Sequence, residues 1–372
     1  MRIGVLTSSR ADYGIYRPLL QALQADGGFD VRLFVFGTHL SPYHGLTVRQ
    51  IEADNLAPIV ERIESLVLAD SPEAIGVAMG LTTMRFSAVW ARWAAELDLV
   101  LALGDRYEMF AAVAAGVPFG LRVAHLHGGE TTLGAIDNVF RHSLTLMARI
   151  HFASTARHAA RVAELVGATA AIFDVGALSL SNLLTVPLLT TEEFRGRFGV
   201  DMARPTVLVT FHPETVAFER NREYIRELVA ALEAIPEQVL ITMPDADTLG
   251  SVIRAALEAF VGRAGGRAVA VESLGTQGYF SAMRHCTYLI GNTSSGIIEA
   301  ASLGRYVLDL GDRQAGRDAG PNVLHCPVEC AAILAAATDV RSRGSYTGSN
   351  LYGDGSTAAR IVEHLHSLRL HD

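Results

Sequence analysis

Gly104-Asp105-Arg106 closes one apolar run, His125-Leu126-His127-Gly128-Gly129-Glu130 closes the next, and Asp137 and Arg141-His142 follow shortly after. The runs Leu99 to Leu103 and Leu121 to Leu126 are continuous and apolar, with the Ala-rich helical stretch Arg106 to Ala115 between them, which is the pattern of parallel strands buried on both faces. Carboxylates, imidazoles and guanidinium groups therefore collect at the carboxyl ends of consecutive strands. In an open α/β sheet that edge is where ligands bind.

Working outward, the same alternation covers the chain. Ile3 to Thr7 and Val31 to Gly37 are strand-like around a helix from Gly14 to Ala25; a helix spans Ser71 to Leu97, and Ile136 to Arg149 leads into a strand at Ile150 to Ala153. The pattern weakens between Val175 and Arg204, where the domain boundary is placed, and restarts at Thr206 to Thr210. From there helices at Glu223 to Glu233, Thr248 to Val261 and Tyr279 to Arg284 alternate with strands at Val239 to Thr242, Ala268 to Val271 and Tyr288 to Ile290, before a helix from Ser295. The expected fold is α/β: two Rossmann-like, doubly wound domains with a cleft between them. The first covers 1–178 plus a returning C-terminal helix, 356–372, and the second covers 186–355.

Composition narrows the chemistry. The chain has 372 residues, is 50% hydrophobic, carries a formal charge of −8 and has no basic run, which argues against nucleic acid as a partner. No unbroken apolar run long enough for a bilayer is evident and Met1 leads directly into a strand, so the expectation is a cytoplasmic protein without a membrane partner. Cys286, Cys326 and Cys330 are too few and scattered for a disulfide framework. All 31 residues of the Lys+Arg count are arginine. Schiff-base and P-loop chemistries, which need an amine at a defined place, are thereby excluded. Anion binding falls to arginine, helix N-termini and neutral donors, and proton transfer to carboxylates, His or Tyr.

The second half contributes Gly291-Asn292-Thr293-Ser294-Ser295-Gly296-Ile297-Ile298-Glu299, a turn from a strand into a helix. Small residues and free amides there suit a phosphate, with Glu299 placed for ribose hydroxyls; read alone, the stretch is also an ordinary capped turn. The first loop, Ser8-Ser9-Arg10-Ala11-Asp12-Tyr13-Gly14, is not GxGxxG, which disfavours a dinucleotide. Arg10 there either reaches a pyrophosphate or pairs with Asp12 on the surface. His212 follows a strand. His125, His127 and Glu130 lack the company of a zinc site, so neither metal nor cofactor is expected. Taken singly, Asp105 suits a helix N-cap and Asp137 an exposed helix position.

Jointly, these motifs resemble the hydrolysing UDP-N-acetylglucosamine 2-epimerase family over essentially the whole length. The resemblance rests on Ser9 to Gly14, Gly37-Thr38-His39-Leu40, Gly104 to Arg106, His127 to Glu130 with Asp137, Arg141-His142, His212-Pro213, Gly291 to Gly296, Gly311-Asp312-Arg313-Gln314-Ala315-Gly316-Arg317 and Tyr352-Gly353-Asp354-Gly355. It implies a GT-B architecture and a two-step reaction, in which UDP is eliminated to leave a 2-acetamidoglucal and water then adds to give free N-acetylmannosamine. It also implies acid–base roles for Asp105, Glu130 and Asp137, with His212 beside the pyrophosphate and C1. Substrate contacts are implied for Arg10, His39, Arg106, Arg141, His142, Asn292, Ser294, Ser295, Gly296, Glu299, Arg313 and Arg317, and for the base near Asp245, Asp247 and Phe280. A homodimer or homotetramer is implied as well. Departures from the family pattern are Leu146, where a lysine is common, Asp245, where Asn is common, and Leu180 to Asn182. The same reaction on a UDP- or GDP-linked 2,4-diacetamido-2,4,6-trideoxy sugar fits these motifs equally, and a GT-B glycosyltransferase or a nucleotide-sugar sensor are the rivals of other classes.

Overall fold

A computed structural model describes residues 1–69, 71–133, 136–214, 218–244 and 250–369. The chain divides into two compact units: 1–130 with 137–185 and 352–372, and 131–136 with 186–351. Each is built on one all-parallel sheet.

The first unit carries β1 (Arg2–Thr7), α1 (Arg10–Asp26), β2 (Asp30–Phe36), α2 (Val48–Asp54), β3 (Ile59–Ile63), α3 (Pro72–Trp93), β4 (Leu99–Leu103), α4 (Tyr107–Ala114), β5 (Val123–Leu126), α5 (Asp137–Met147), β6 (Ile150–Ala153), α6 (Ala156–Val166), β7 (Ala171–Asp174) and α7 (Asn182–Thr185). Its strands run in the order β3-β2-β1-β4-β5-β6-β7. The order reverses at β1 and β4, so the loops after these strands open at the switch point where doubly wound sheets take ligands. β4 is wholly apolar and buried; β1, β5 and β6 are buried as well apart from Arg2, with His125 inside β5 and His151 inside β6. One layer packs Tyr13, Tyr16 and Leu20 of α1 on the sheet; the other packs Phe86 and Trp90 of α3 with Met109 and Leu144. At roughly 1.5–3 kcal/mol for each large apolar side chain buried, these two layers carry the unit's stability.

Among the described residues Pro72–Glu96 alone has the length and mean hydropathy to span a bilayer, and Arg85 and Arg92 interrupt it, so it is not an unbroken apolar run. Here it is a sheet-covering helix: Ser71 caps it by accepting from the Ala74 amide, and Trp90 Nε1 donates to Ala112 O at 2.8 Å.

The second unit runs through α8 (Thr191–Phe198), β8 (Thr206–Thr210), α9 (Asn221–Ala234), β9 (Gln238–Thr242), α10 (Gly250–Arg263), β10 (Ala268–Val271), α11 (Gly275–His285), β11 (Tyr288–Gly291), α12 (Ser294–Ile298), β12 (Val307–Leu310), β13 (Val323–Cys326) and α13 (Cys330–Arg343). The sheet order is β10-β9-β8-β11-β12-β13, with its own reversal at β8 and β11. Arg267 closes the end of α9, donating to the carbonyls of Leu232, Glu233, Ile235 and Glu237. A cation there satisfies terminal carbonyls and opposes the helix dipole. The tail returns to the first unit as α14 (Thr357–Arg369), where Ile361 and Leu365 join the core beside α1.

Candidate functional site

In the first unit, β5 ends in a sharp reversal. His127 adopts φ 64° and Gly129 φ 79°, both in the left-handed region. A Cβ on Gly129 would sit 2.2 Å from the carbonyl oxygen of His158, so only glycine lets the turn press against α6. That approach swings Glu130 back over the end of β6. Its carboxylate is 1% exposed and is held on one oxygen, Oε1, by His127 Nδ1 at 2.7 Å and Ser154 Oγ at 2.7 Å.

Arg141, on α5, lies beneath the same group. It is 2% exposed, hydrogen-bonds Asp105 and stands 3.6 Å from Glu130 Oε2. Two of the three carboxylates singled out from sequence thus share one buried guanidinium. This is the arrangement that brings acidic groups close without forcing either to take up a proton. Asp137 opens α5 and is half-buried. Arg141 belongs to this buried network rather than to an exposed substrate clamp. His142 beside it has its basicity lowered by burial, then by Arg141 and Arg161, so it is neutral at pH 7.

Behind these groups His125 and His151 face each other across β5 and β6. Burial pushes each down to about 4. His125 Nε2 meets the Gly104 carbonyl at 2.8 Å, fixing the backbone just before Asp105. Arg106 pairs in two bonds with the buried Glu108, which commits it to α4.

The loop after β1 corrects two expectations. His39, expected at the substrate, is fully buried, with its ring nitrogens on Thr7 and Thr47, and lies 3.7 Å from Asp12, internal to the unit. Asp12 does not pair with Arg10. It accepts from Thr7, Ser8 and Ser9 in the box that starts α1. Burial works against its charge, yet the hydrogen bond and field of His39 and the bonds from Thr7 and Ser8 hold its carboxyl below the usual range. Arg10 is left exposed at the first turn of α1.

In the second unit, the loops after β8 and β11 are locked together. Asn292 is fully buried; its Oδ1 accepts from the His212 amide at 2.7 Å, and its Nδ2 donates to the His212 carbonyl at 2.8 Å. Its own carbonyl accepts from Arg313 at 3.1 Å and Gln314 at 2.9 Å. Asn292 therefore clamps the two loops together. Gly291, at φ 151°, is required because a Cβ would lie 1.8 Å from Thr210 O. At Gly296 a Cβ would lie 3.0 Å from Val307 Cγ1, so this glycine too serves close packing.

α12 has only five residues, and the Ser295 amide donates to Thr293 Oγ1 at 3.4 Å, capping it. The Ser294 and Ser295 side chains are half-exposed, as are those of His212, Arg313 and Arg317. Glu299 is 3% exposed, deeper than a ribose contact on the open edge of a helix. Phe280 is likewise buried in α11. Asp245 and Asp247 lie outside the described residues. Among the described residues no group of three His, Cys, Asp or Glu side chains is arranged to hold a metal ion.

Sequence reasoning passed over Ser154, His158 and Glu214. Glu214 is buried, and Oε1 accepts from the Asp312 amide at 2.8 Å, joining the loop after β8 to that after β12. Burial raises its carboxyl above the usual value, with the bond from Asp312 opposing. Glu214 had a readable signal in its place just after His212-Pro213. Ser154 and His158 had none, since they matter only once β6 pairs with β5.

With this geometry in place, the family can be asked of the whole chain. The family model described as UDP-N-acetylglucosamine 2-epimerase matches residues 21–366. The chain belongs to this family. It is 30% identical over 371 residues to a Legionella pneumophila protein named UDP-N,N'-diacetylbacillosamine 2-epimerase (hydrolyzing), covering all of this chain and 97% of that one. It is also 30% identical to the Campylobacter jejuni GDP/UDP-N,N'-diacetylbacillosamine 2-epimerase (hydrolyzing), over 87% of this chain and 83% of the relative. A crystal structure of the Neisseria meningitidis UDP-GlcNAc 2-epimerase bound to UDP-GlcNAc superposes with a TM-score of 0.82 at 16% identity, over 99% of this chain and all of that one. The fold is the GT-B type, two Rossmann-like domains.

Proposed function

We propose that this family member is a hydrolysing 2-epimerase of nucleotide-linked 2-acetamido sugars. The observation that carries the reading is the pairing of Asp105 and Glu130 on Arg141 at the carboxyl ends of β4 and β5. Inverting C2 by elimination and hydration needs a base for the C2 proton on one face and an acid to return a proton on the other. A carboxylate takes the proton from C2, the C1–O bond breaks with its electron pair leaving on the nucleoside diphosphate, and a 2-acetamidoglucal remains. Water then places OH on C1 while a carboxyl group protonates C2 from the opposite side, releasing the free 2-epimer.

In the proposed roles Asp105, Glu130 and Asp137 share these proton steps. His212, Arg10, Arg313 and Arg317 supply positive charge or donors to the leaving diphosphate, with the Ser294 and Ser295 hydroxyls. UDP-N-acetylglucosamine satisfies this chemistry. The two relatives named above favour the UDP-linked 2,4-diacetamido-2,4,6-trideoxy sugar as the physiological substrate, with the GDP-linked form as the further alternative.

Incubation with each of these sugar nucleotides in deuterated water decides the matter. The expected result is free sugar carrying one deuterium at C2, with the nucleoside diphosphate released and no acceptor present. Sugar transfer only when an acceptor is added would make the protein a glycosyltransferase, and binding without turnover would make it a sensor.

A further inference from the structure

We infer that Ser154 and His158 are positioning residues that hold Glu130 ionised through the hydroxyl's bond to its Oε1. The inference rests on the acid–base role proposed above for Glu130.

Hydrogen-bond direction can be followed through the cluster. The Leu178 amide donates to His127 Nε2 at 3.3 Å, so that nitrogen carries no proton and the neutral ring is protonated on Nδ1. Nδ1–H therefore donates to Glu130 Oε1. The Ser154 hydroxyl gives its one proton to the same oxygen, so at 2.9 Å it accepts from His158 Nδ1–H. The chain runs one way, from His158 to Ser154 to Glu130, and meets His127 coming from the other side.

Every member is nine-tenths or more buried: Ser154 1%, Glu130 1%, His158 3% and His127 9% exposed. Water is thus a poor substitute for a missing donor. His127 and Ser154 both donate to the one oxygen, Oε1. Donation to the charged form stabilises it, so the cluster keeps Glu130 a carboxylate in a setting where burial alone would protonate it. The arrangement is not a nucleophilic triad. There, serine donates to histidine and histidine to the acid; here the acid takes the serine proton directly, and the hydroxyl is enclosed.

His127 pays for its place with a left-handed backbone, which is otherwise unfavourable for a side-chain-bearing residue. His158 Nδ1 is in reach because Gly129 lets the turn lie directly on α6. The described titratable and charged groups near Glu130 include His127 in its own turn, His125 on β5, Arg141 on α5 with Asp105 beyond it and Asp137 at the start of that helix, and His158 on α6.

The test uses the full chain labelled with side-chain 13C-glutamate, Glu130 being identified by its absence in Glu130→Gln. In Ser154→Ala the titration of Glu130 should move up by about one pH unit. In parallel, kcat should fall about ten-fold, the loss of one hydrogen bond to a charged group, with KM within about three-fold, and the acidic limb of the pH–kcat profile should shift by the same interval. Ser154→Thr, which keeps the hydroxyl, should restore both, and His158→Phe should move the titration in the same direction by less. If Ser154→Ala does not fold, Ser154→Cys carries the comparison. An unmoved Glu130 titration, or Ser154→Thr as impaired as Ser154→Ala, overturns the inference. A wild-type protein inactive on every sugar nucleotide overturns the function instead, and the titration still decides the positioning role.

Discussion

The two units reverse strand order at equivalent places, β1 with β4 and β8 with β11, yet furnish those edges differently. The first gathers ionisable side chains into a buried network of Asp105, Glu130, Arg141 and His127. The second uses an uncharged amide, Asn292, to fasten two loops and leaves arginines and hydroxyls at the rim. In the proposed function the first edge moves protons and the second holds a shaped, charged group. Similar scaffolds can therefore be told apart by what is buried at the strand ends.

The contrast breaks most visibly at the carboxylates. Asp105→Asn or Glu130→Gln should lower kcat by about a thousand-fold or more while the dissociation constant for UDP, read by calorimetry, stays within about three-fold. Equal losses in both would mean that these residues bind rather than react. Arg141→Met goes further, leaving two acids without their shared cation: activity should vanish and unfolding free energy fall by about 3–5 kcal/mol in a urea titration. Retention of wild-type stability would show that the guanidinium is not the keystone of the first edge.

A pH effect should follow from the same unit. His125 and His151 take up protons near 4 when folded and near the ordinary 6.5 when unfolded. The unfolded chain binds more protons between those values, so this contribution is complete above pH 6.5 and is lost as pH falls toward 4. It amounts to at most about 3 kcal/mol per ring. Thermal unfolding should show the melting point dropping across that window, and His151→Phe should flatten the slope. In the second unit Asn292→Ala should cost about 1–3 kcal/mol of stability through unsatisfied backbone groups, with a matching weakening of UDP binding. Ser294→Ala and Ser295→Ala are the mildest, about 1 kcal/mol of UDP affinity for each bond lost. Unchanged affinity in both would remove that turn from the phosphate contacts.

Apolar continuity made Leu99–Leu103 and Thr206–Thr210 legible before any coordinates, because central parallel strands are buried on both faces; the edge strand Ala268–Val271 was legible only because all four of its residues are apolar. β3 and β7 were not, since as edge strands they mix charged and half-exposed residues with apolar ones. α8 was hidden inside the stretch taken for a linker, though Thr190 and Glu193 form a capping box at its start. Motifs located the carboxylates, but they did not distinguish a residue that faces a ligand from one that braces its neighbour. His39 and Asn292 were assigned to substrate because polar residues in a loop motif look alike in one dimension. Only the folded chain reveals that His39 bonds Thr7 and Thr47 and that Asn292 ties the loop of His212 to its own. Ser154 and His158 escaped for the converse reason, being ordinary residues made important by β5 lying beside β6.

The backbone-to-backbone seat of Gly129 on His158 has a mechanical consequence. With no side chain between them to yield, the turn and the start of α6 must travel as one rigid piece, because close-packed atoms transmit displacement instead of absorbing it. α6 is then a lever whose solvent-facing side, at Arg157 and Arg161, offers a distant handle on the aim of Glu130.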